Sequence, residues 1–322
     1  MKRPPLLQPA KALAVLASVL PVWAVVAWTA GAAAAPVSDA EACLEPGPAA
    51  AQHLGLCERA LAEPGLPAAS RATLLVRRGE LWLQLGQSSH ALADFSAAIA
   101  ANPASASARE RRALLLQRRG DLDAAVADLS EAITLNPHAP DLRALRAMQH
   151  HQAGRPDAAG RDLAAALALA PDHALAHLLR GTLAYRRGAH GEAAEAFARS
   201  LSGSPVPYPL AAYWLALATG RAGGDAAGAL APYAWWWDDA AWSRALVAAI
   251  EGRATLSELE ASVAAIGDPA LRAQASFFAA EWARLNGDMA AAQRLLEIAA
   301  VDGAEYSLEA IEARGRLTAG MN

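Results

Sequence analysis

The chain has 322 residues, of which 54% are apolar and 19% charged, and its formal net charge is −4. That balance excludes a disordered polymer. With 88 alanines against 18 aromatic residues, it also argues against a sandwich or barrel built from large β-formers and in favour of helices packed through small side chains.

Residues 1–35 read as an export signal or a membrane anchor. Lys2, Arg3 and Lys11 make a basic start, no charge occurs from Ala12 to Pro36, and the small residues Gly31 to Ala35 offer cleavage sites. Ala12 to Ala30 would span about 29 Å as a helix, close to the roughly 30 Å of a bilayer core, so cleavage and retention both stay open. In either case the positive-inside rule places the remainder outside the cytoplasm, in the periplasm or otherwise exported. Cys43 follows Asp39-Ala40-Glu41-Ala42, which is not a lipidation box. Without this segment 25 bases face 32 acids, net −7, and no lysine remains. An acidic domain without a basic block is a poor nucleic-acid binder.

Residues 36–71 form a lead-in and first helix. Cys43 and Cys57, the only cysteines, flank a Pro/Gly-rich stretch and are expected to pair in an oxidising compartment. A redox or metal site is the competing reading, disfavoured by their spacing and by the single nearby histidine, His53.

The next region repeats with a period of 34. Gly86, Gly120, Gly154 and Gly188 are in register, as are Pro103, Pro137, Pro171 and Pro205, and Ala91, Ala125, Ala159 and Ala193. A further row, Ala98, Ala132 and Ala166, departs only at Ser200. Each unit reads as two helices, with glycine turning the chain after the first and proline stopping the second. Arg78, Arg112, Arg146 and Arg180 recur on the first helices, and Asp94, Asp128 and Asp162 on the second. Pairing within or between units is the favoured reading, and a ligand-binding ladder the alternative.

These rows resemble the tetratricopeptide repeat (TPR) family. The first unit carries Gly79, Trp82, Gly86, Ala91, Phe95, Ala98 and Pro103, and the fourth carries Gly181, Gly188, Ala193, Phe197 and Pro205. The middle units have Ala113 and Ala147 where glycine is usual, and Leu129 and Leu163 where an aromatic residue is usual. The resemblance implies an all-α superhelical solenoid of antiparallel helix pairs, with four units in 72–207. It further implies that first helices line a concave groove. The offsets then assign Val76, Glu80 and Leu83 to that groove, followed by Glu110, Leu114 and Gln117, Asp141, Met148 and His151, and Leu178, Thr182 and Tyr185. Such a floor suits a peptide with apolar anchors and basic residues.

The register blurs in 208–268, a degenerate helical segment. Ala211 to Thr219 reads as a helix, Gly223-Gly224-Asp225 as a turn, and Thr255 with Glu258 as a capping box. Trp235, Trp236 and Trp237 form either a junction core or a second binding surface for a glycan or small molecule. Residues 269–322 hold a final unit, with Gly287, Ala292 and Ala299, and a capping helix from Tyr306 to Leu317. The layout is similar to exported NlpI-type TPR adaptors. That similarity implies a non-catalytic scaffold that binds envelope proteins and brings cell-wall hydrolases to a C-terminal-processing protease.

No HExxH, G-x-S-x-G or phosphate-binding glycine loop occurs. His173 and His177 have metal-compatible helical spacing but no third ligand in the pattern, and His150 and His151 point to different helix faces. No catalytic residue, cofactor or metal is expected. The expected partners are other envelope proteins or peptides, with a second copy of the chain as a further candidate, and the membrane only through a retained N-terminal segment.

Overall fold

A computed structural model describes residues 38–45, 49–202, 209–236, 241–302 and 308–318. The signal or anchor segment therefore lies outside the described residues. Among those described there is no strand, and no helix is long and apolar enough to cross a membrane.

Two helices open the described chain, α1 (Asp39–Leu44) and α2 (Ala50–Ala62). The Sγ atoms of Cys43 and Cys57 stand at disulfide distance, 2.06 Å, with Cα atoms 4.9 Å apart. Both residues are fully buried beside Leu74 and Leu81. Four helix pairs follow: α3 (Ala68–Gln84) with α4 (Ser88–Ala101), α5 (Ala106–Arg118) with α6 (Leu122–Leu135), α7 (Pro140–Gln152) with α8 (Pro156–Leu169), and α9 (Ala174–Arg186) with α10 (His190–Ser202).

The punctuation acts as the 34-residue rows predict. Gly86 has φ +73°. Its N–H donates to the Leu83 carbonyl at 3.0 Å while Gln87 N–H donates to Trp82 O at 2.8 Å, the paired bonds that close a helix through a left-handed residue. Gly120, Gly154 and Gly188 repeat this turn with φ between +69° and +81°. At the other end of each unit, Asn102, Asn136 and Ala170 have extended φ near −137°. Each precedes a proline, whose ring excludes the helical conformation from the residue before it.

Within a unit the two helices meet at a matched pair. A Cβ built on Gly79 would lie 2.5 Å from Phe95 Cε1, and one on Gly181 would lie 2.5 Å from Phe197 Cε1. The middle units exchange both partners, using Ala113 with Leu129 and Ala147 with Leu163, all buried. Their departure from the usual pattern is a volume compensation: a smaller side chain on the second helix leaves room for one methyl on the first.

Three of the four row arginines pair inside their own units, whereas Arg180, against expectation, has no carboxylate partner among the described residues because the aspartate row gives way to Ala196. Arg78, Arg112 and Arg146 each grip Asp94, Asp128 and Asp162 through two nitrogens at 2.6–2.8 Å. Arg112 and Arg146 also reach back to Ser96 and Ser130 of the preceding unit. The ladder joins helices, as its favoured reading has it.

Beyond the repeats come α11 (Pro209–Arg221), α12 (Ala226–Leu230), a 3-10 turn (Ala231–Trp236), α13 (Ala241–Ile250), α14 (Leu256–Ala264), α15 (Pro269–Leu285), α16 (Met289–Asp302) and α17 (Leu308–Thr318). Thr255 and Glu258 form the expected reciprocal capping box on α14. Trp214 is fully buried among Tyr185, Phe197, Phe277 and Phe278, with ring centroids 5.2–5.7 Å away. Trp242 packs on Tyr213. These two tryptophans are core. Trp237 and the side chains of Trp235 and Trp236 lie outside the described residues.

Candidate functional site: the concave groove

The expected groove residues lie on α3, α5, α7 and α9, and the structure divides them into two sets. Asp141 is exposed, while Val76, Glu80, Leu83, Glu110, Leu114, Gln117, Met148 and Leu178 are half-buried. His151, Thr182 and Tyr185 do not face an open groove: each is at most 2% exposed. The cause is the C-terminal part of the chain. Tyr185 donates its hydroxyl to Glu281 of α15 at 2.6 Å, and His151 Nε2 lies 3.3 Å from Glu312 of α17. Arg316 of α17 stacks over the Tyr185 ring at 5.5 Å. The Thr182 hydroxyl turns inward to the Leu179 carbonyl. Helices α15 and α17 thus cover the C-terminal ends of α7 and α9. Burial and the Glu281 carboxylate both push the Tyr185 hydroxyl far above its ordinary pKa, so it stays a neutral donor.

What stays open is a cavity of about 490 Å³ over the second and third units, lined by Ser107, Glu110, Leu114, Asp141, Leu145 and Leu175 among others. Glu110, Leu114 and Asp141 are residues the helical offsets assign. Leu145 is not, and no repeat row marks it, because its counterpart in the preceding unit is Arg111. Asn136 and Ala139, from the turn before α7, also line the cavity. A helical stripe carries no information about turn residues.

The electrostatics of this floor are acidic. Glu80 pairs with Arg111 at 2.9 Å, and Asp141 accepts from or pairs with His173 Nε2 at 2.9 Å. Glu110 has no ion pair within 4.0 Å among the described residues. Burial raises its carboxyl above the usual value, Arg111 opposes that shift, and Asp141 and Glu80 add to it. Glu110 is thus the acid of this floor with no ion-pair partner among the described residues. Gln117 and Gln152 are hydrogen-bonded at 3.0 Å and tie α5 to α7.

The histidines have structural places. His173 is the N-cap of α9, accepting from Ala176 N–H, and His177 Nε2 meets the Pro171 carbonyl at 2.7 Å. Among the described residues no group of three His, Cys, Asp or Glu side chains is arranged to hold a metal.

Residues 76–140 and 145–209 match the family model described as tetratricopeptide repeat. No curated protein matches the chain in sequence. Among solved structures, the APC/C hetero-tetramer Cut9–Hcn1 is 19% identical over 76% of this chain and 45% of that one, with a TM-score of 0.53. PilW, a widely conserved type IV pilus biogenesis factor, is 18% identical over 76% of this chain and 98% of its own, with a TM-score of 0.48. MamA from Desulfovibrio magneticus RS-1 is 19% identical over 48% of this chain and 84% of its own, with a TM-score of 0.42. At such identities the likeness to Cut9–Hcn1 speaks to fold alone. Helix pairs at a 34-residue period, glycine turns in register and the family match converge: residues 76–209 are built of tetratricopeptide repeats.

Proposed function

We propose that the protein is a non-catalytic scaffold that binds a basic, partly apolar segment of another protein in the open part of its groove. The observation that carries this reading is the division of the concave face. The chain's own helices cover the ends of α7 and α9, whereas the floor around Glu110, Leu114 and Asp141 is left uncovered, with a carboxyl whose charge is disfavoured by burial and, against the opposing pull of Arg111, by Asp141 and Glu80. A lysine or arginine beside Glu110 would remove that penalty, and Leu114, Leu145 and Leu175 would take apolar side chains.

The compartment in this reading is the cell envelope, supported by the basic-apolar segment 1–35 and by two cysteines held at disulfide distance. The similarity to NlpI-type adaptors supports a role in presenting cell-wall hydrolases to a C-terminal-processing protease. The test is capture from envelope extract by the full chain, compared with Glu110→Gln and Leu114→Ala. We expect discrete proteins to be retained, and each substitution to weaken retention about tenfold, equivalent to about 1.4 kcal/mol. Retention of the same proteins by both variants at wild-type strength would refute the groove. Saturable binding to soluble glycans with no protein retained would refute the scaffold.

A further inference from the structure

The repeats contain their own control experiment. In the first three units the arginine of the first helix holds the aspartate sixteen residues on, and in the second and third it also reaches a serine of the preceding unit. Stepping the aspartate row on from Asp162 gives Ala196, and stepping the serine row on from Ser130 gives Ala164. Arg180 keeps the arginine of the row but has lost both partners. It is exposed and makes no hydrogen bond or ion pair within 4.0 Å among the described residues.

The volume beside it has been vacated as well. Helix α8 carries Gly160 where the two earlier units have Leu92 and Val126, and a Cβ at Gly160 would meet nothing within 4 Å. The result is a cleft of about 720 Å³ between α8, α9 and α10, walled by Leu163, Leu167 and Leu183, with Arg180, Arg187 and Arg199 and the carboxylates Glu192 and Glu195 on its lining. Arg187 is paired with Glu192 and Arg199 with Glu195. The unpaired charge of the cleft is therefore Arg180. The size is within the range of small-molecule sites, one wall is apolar and the other carries two internal ion pairs and Arg180, and a guanidinium fork matches a carboxylate through two parallel bonds.

We propose that this cleft binds an organic carboxylate with an apolar body. Its carboxylate takes on Arg180 the place that Asp94, Asp128 and Asp162 take on the other arginines, and its apolar part lies against Leu163, Leu167 and Leu183. The site is separate from the concave groove and does not depend on its function.

Calorimetric titration of the full chain tests this with octanoate, octanamide and N-acetyl-leucyl-leucine as the free acid. We expect saturable binding of a carboxylate probe, with octanamide at least tenfold weaker. Arg180→Gln should weaken binding at least tenfold. Ala196→Asp and Gly160→Val should do the same from within, by giving Arg180 an internal carboxylate and by filling the cleft, while keeping a melting temperature at or above that of the wild type. Tighter binding of the dipeptide acid than of octanoate, with the same dependence on Arg180, would identify a peptide terminus as the source of the carboxylate, and the reverse order a small aliphatic acid. Equal binding of octanoate and octanamide, wild-type affinity in Arg180→Gln and Ala196→Asp, or no saturable binding of either acid would overturn the proposal.

Discussion

Gly79→Ala should destabilise the first unit, although alanine is the better helix former. An added Cβ would stand 2.5 Å, 2.9 Å and 3.0 Å from three ring carbons of Phe95, and Phe95 is fully buried, so the ring has no open space to turn into. Overpacking of this kind costs about 1–3 kcal/mol. The gain in helix propensity returns about 0.8–1 kcal/mol, leaving a net loss of about 0–2 kcal/mol. Phe95→Leu alone removes ring volume from a packed site and should cost about 1–2 kcal/mol. The double variant recreates the Ala113–Leu129 pair of the second unit, so it should be more stable than the sum of the single effects by about 1–2 kcal/mol, within the range for residues in contact. Urea unfolding followed by circular dichroism measures all four proteins, with an unchanged slope as the check that one transition is compared throughout. A coupling energy within about 0.5 kcal/mol of zero, or a Gly79→Ala protein more stable than wild type, would refute the volume-compensation argument.

Arg112→Ala should lower stability by about 2–4 kcal/mol, because it strands the buried carboxylate of Asp128. Adding Asp128→Ala should recover part of the loss, and protein capture should be unchanged, since this pair joins helices instead of facing the groove. Thermal melts of the two variants decide it, and a double variant no more stable than Arg112→Ala would count against the ion-pair account. Stability should also fall between pH 7 and pH 5. Burial lowers the pKa values of His150, His177 and His190. The folded state therefore binds fewer protons, and the associated stability is present above about pH 6.5 and is lost as pH falls through that value. Glu110 acts in the opposite direction: its raised carboxyl contributes stability that is lost as pH rises above about 4.5. The three imidazoles, whose ordinary value of 6.5 lies inside this window while that of Glu110, 4.5, lies below it, set the sign, and the melting-temperature slope should flatten in His177→Gln. The lowered carboxyls of Asp39, Glu41 and Glu258 matter only below about pH 4.5. A melting temperature flat from pH 7 to pH 5 would refute this ordering.

The helix pairs were legible in the sequence because a turn needing positive φ and a proline stop recur at one spacing, and each acts locally. The Gly86 turn involves only residues from Trp82 to Gln87, so a window of a few residues contains all of its physics. The ladder was half legible. The recurrence of Arg112 and Asp128 indicates pairing, but the choice between own and neighbouring unit depends on side-chain reach across a helix interface. The burial of His151 and Tyr185 was not legible. Their partners Glu312 and Glu281 are 161 and 96 positions away, and no period connects them. The one available signal was Glu281 itself, a lone carboxylate inside the apolar run from Phe277 to Ala283, which demands a buried donor without saying which. In the groove, Glu110 and Leu114 follow from helix geometry, whereas Asn136 and Ala139 come from a turn whose path only the fold provides.

The contact of α17 with α7 and α9 changes what kind of object the array is. A solenoid whose units touch only their neighbours behaves as a one-dimensional chain, free to fray from either end and to gain or lose units one at a time. Here the last described helix is fastened back across the third and fourth units through Glu312, Arg186 and His151, which turns that stretch into a ring closed by side chains. The third unit is then the hinge between two regimes. On its N-terminal side, units can open singly. On its C-terminal side, opening α7 or α9 also breaks contacts to α15 and α17, and the boundary falls at the edge of the cavity lined by Glu110 and Asp141. Glu110 of α5 therefore lies on one side of that boundary and Asp141 of α7, across the same cavity, on the other.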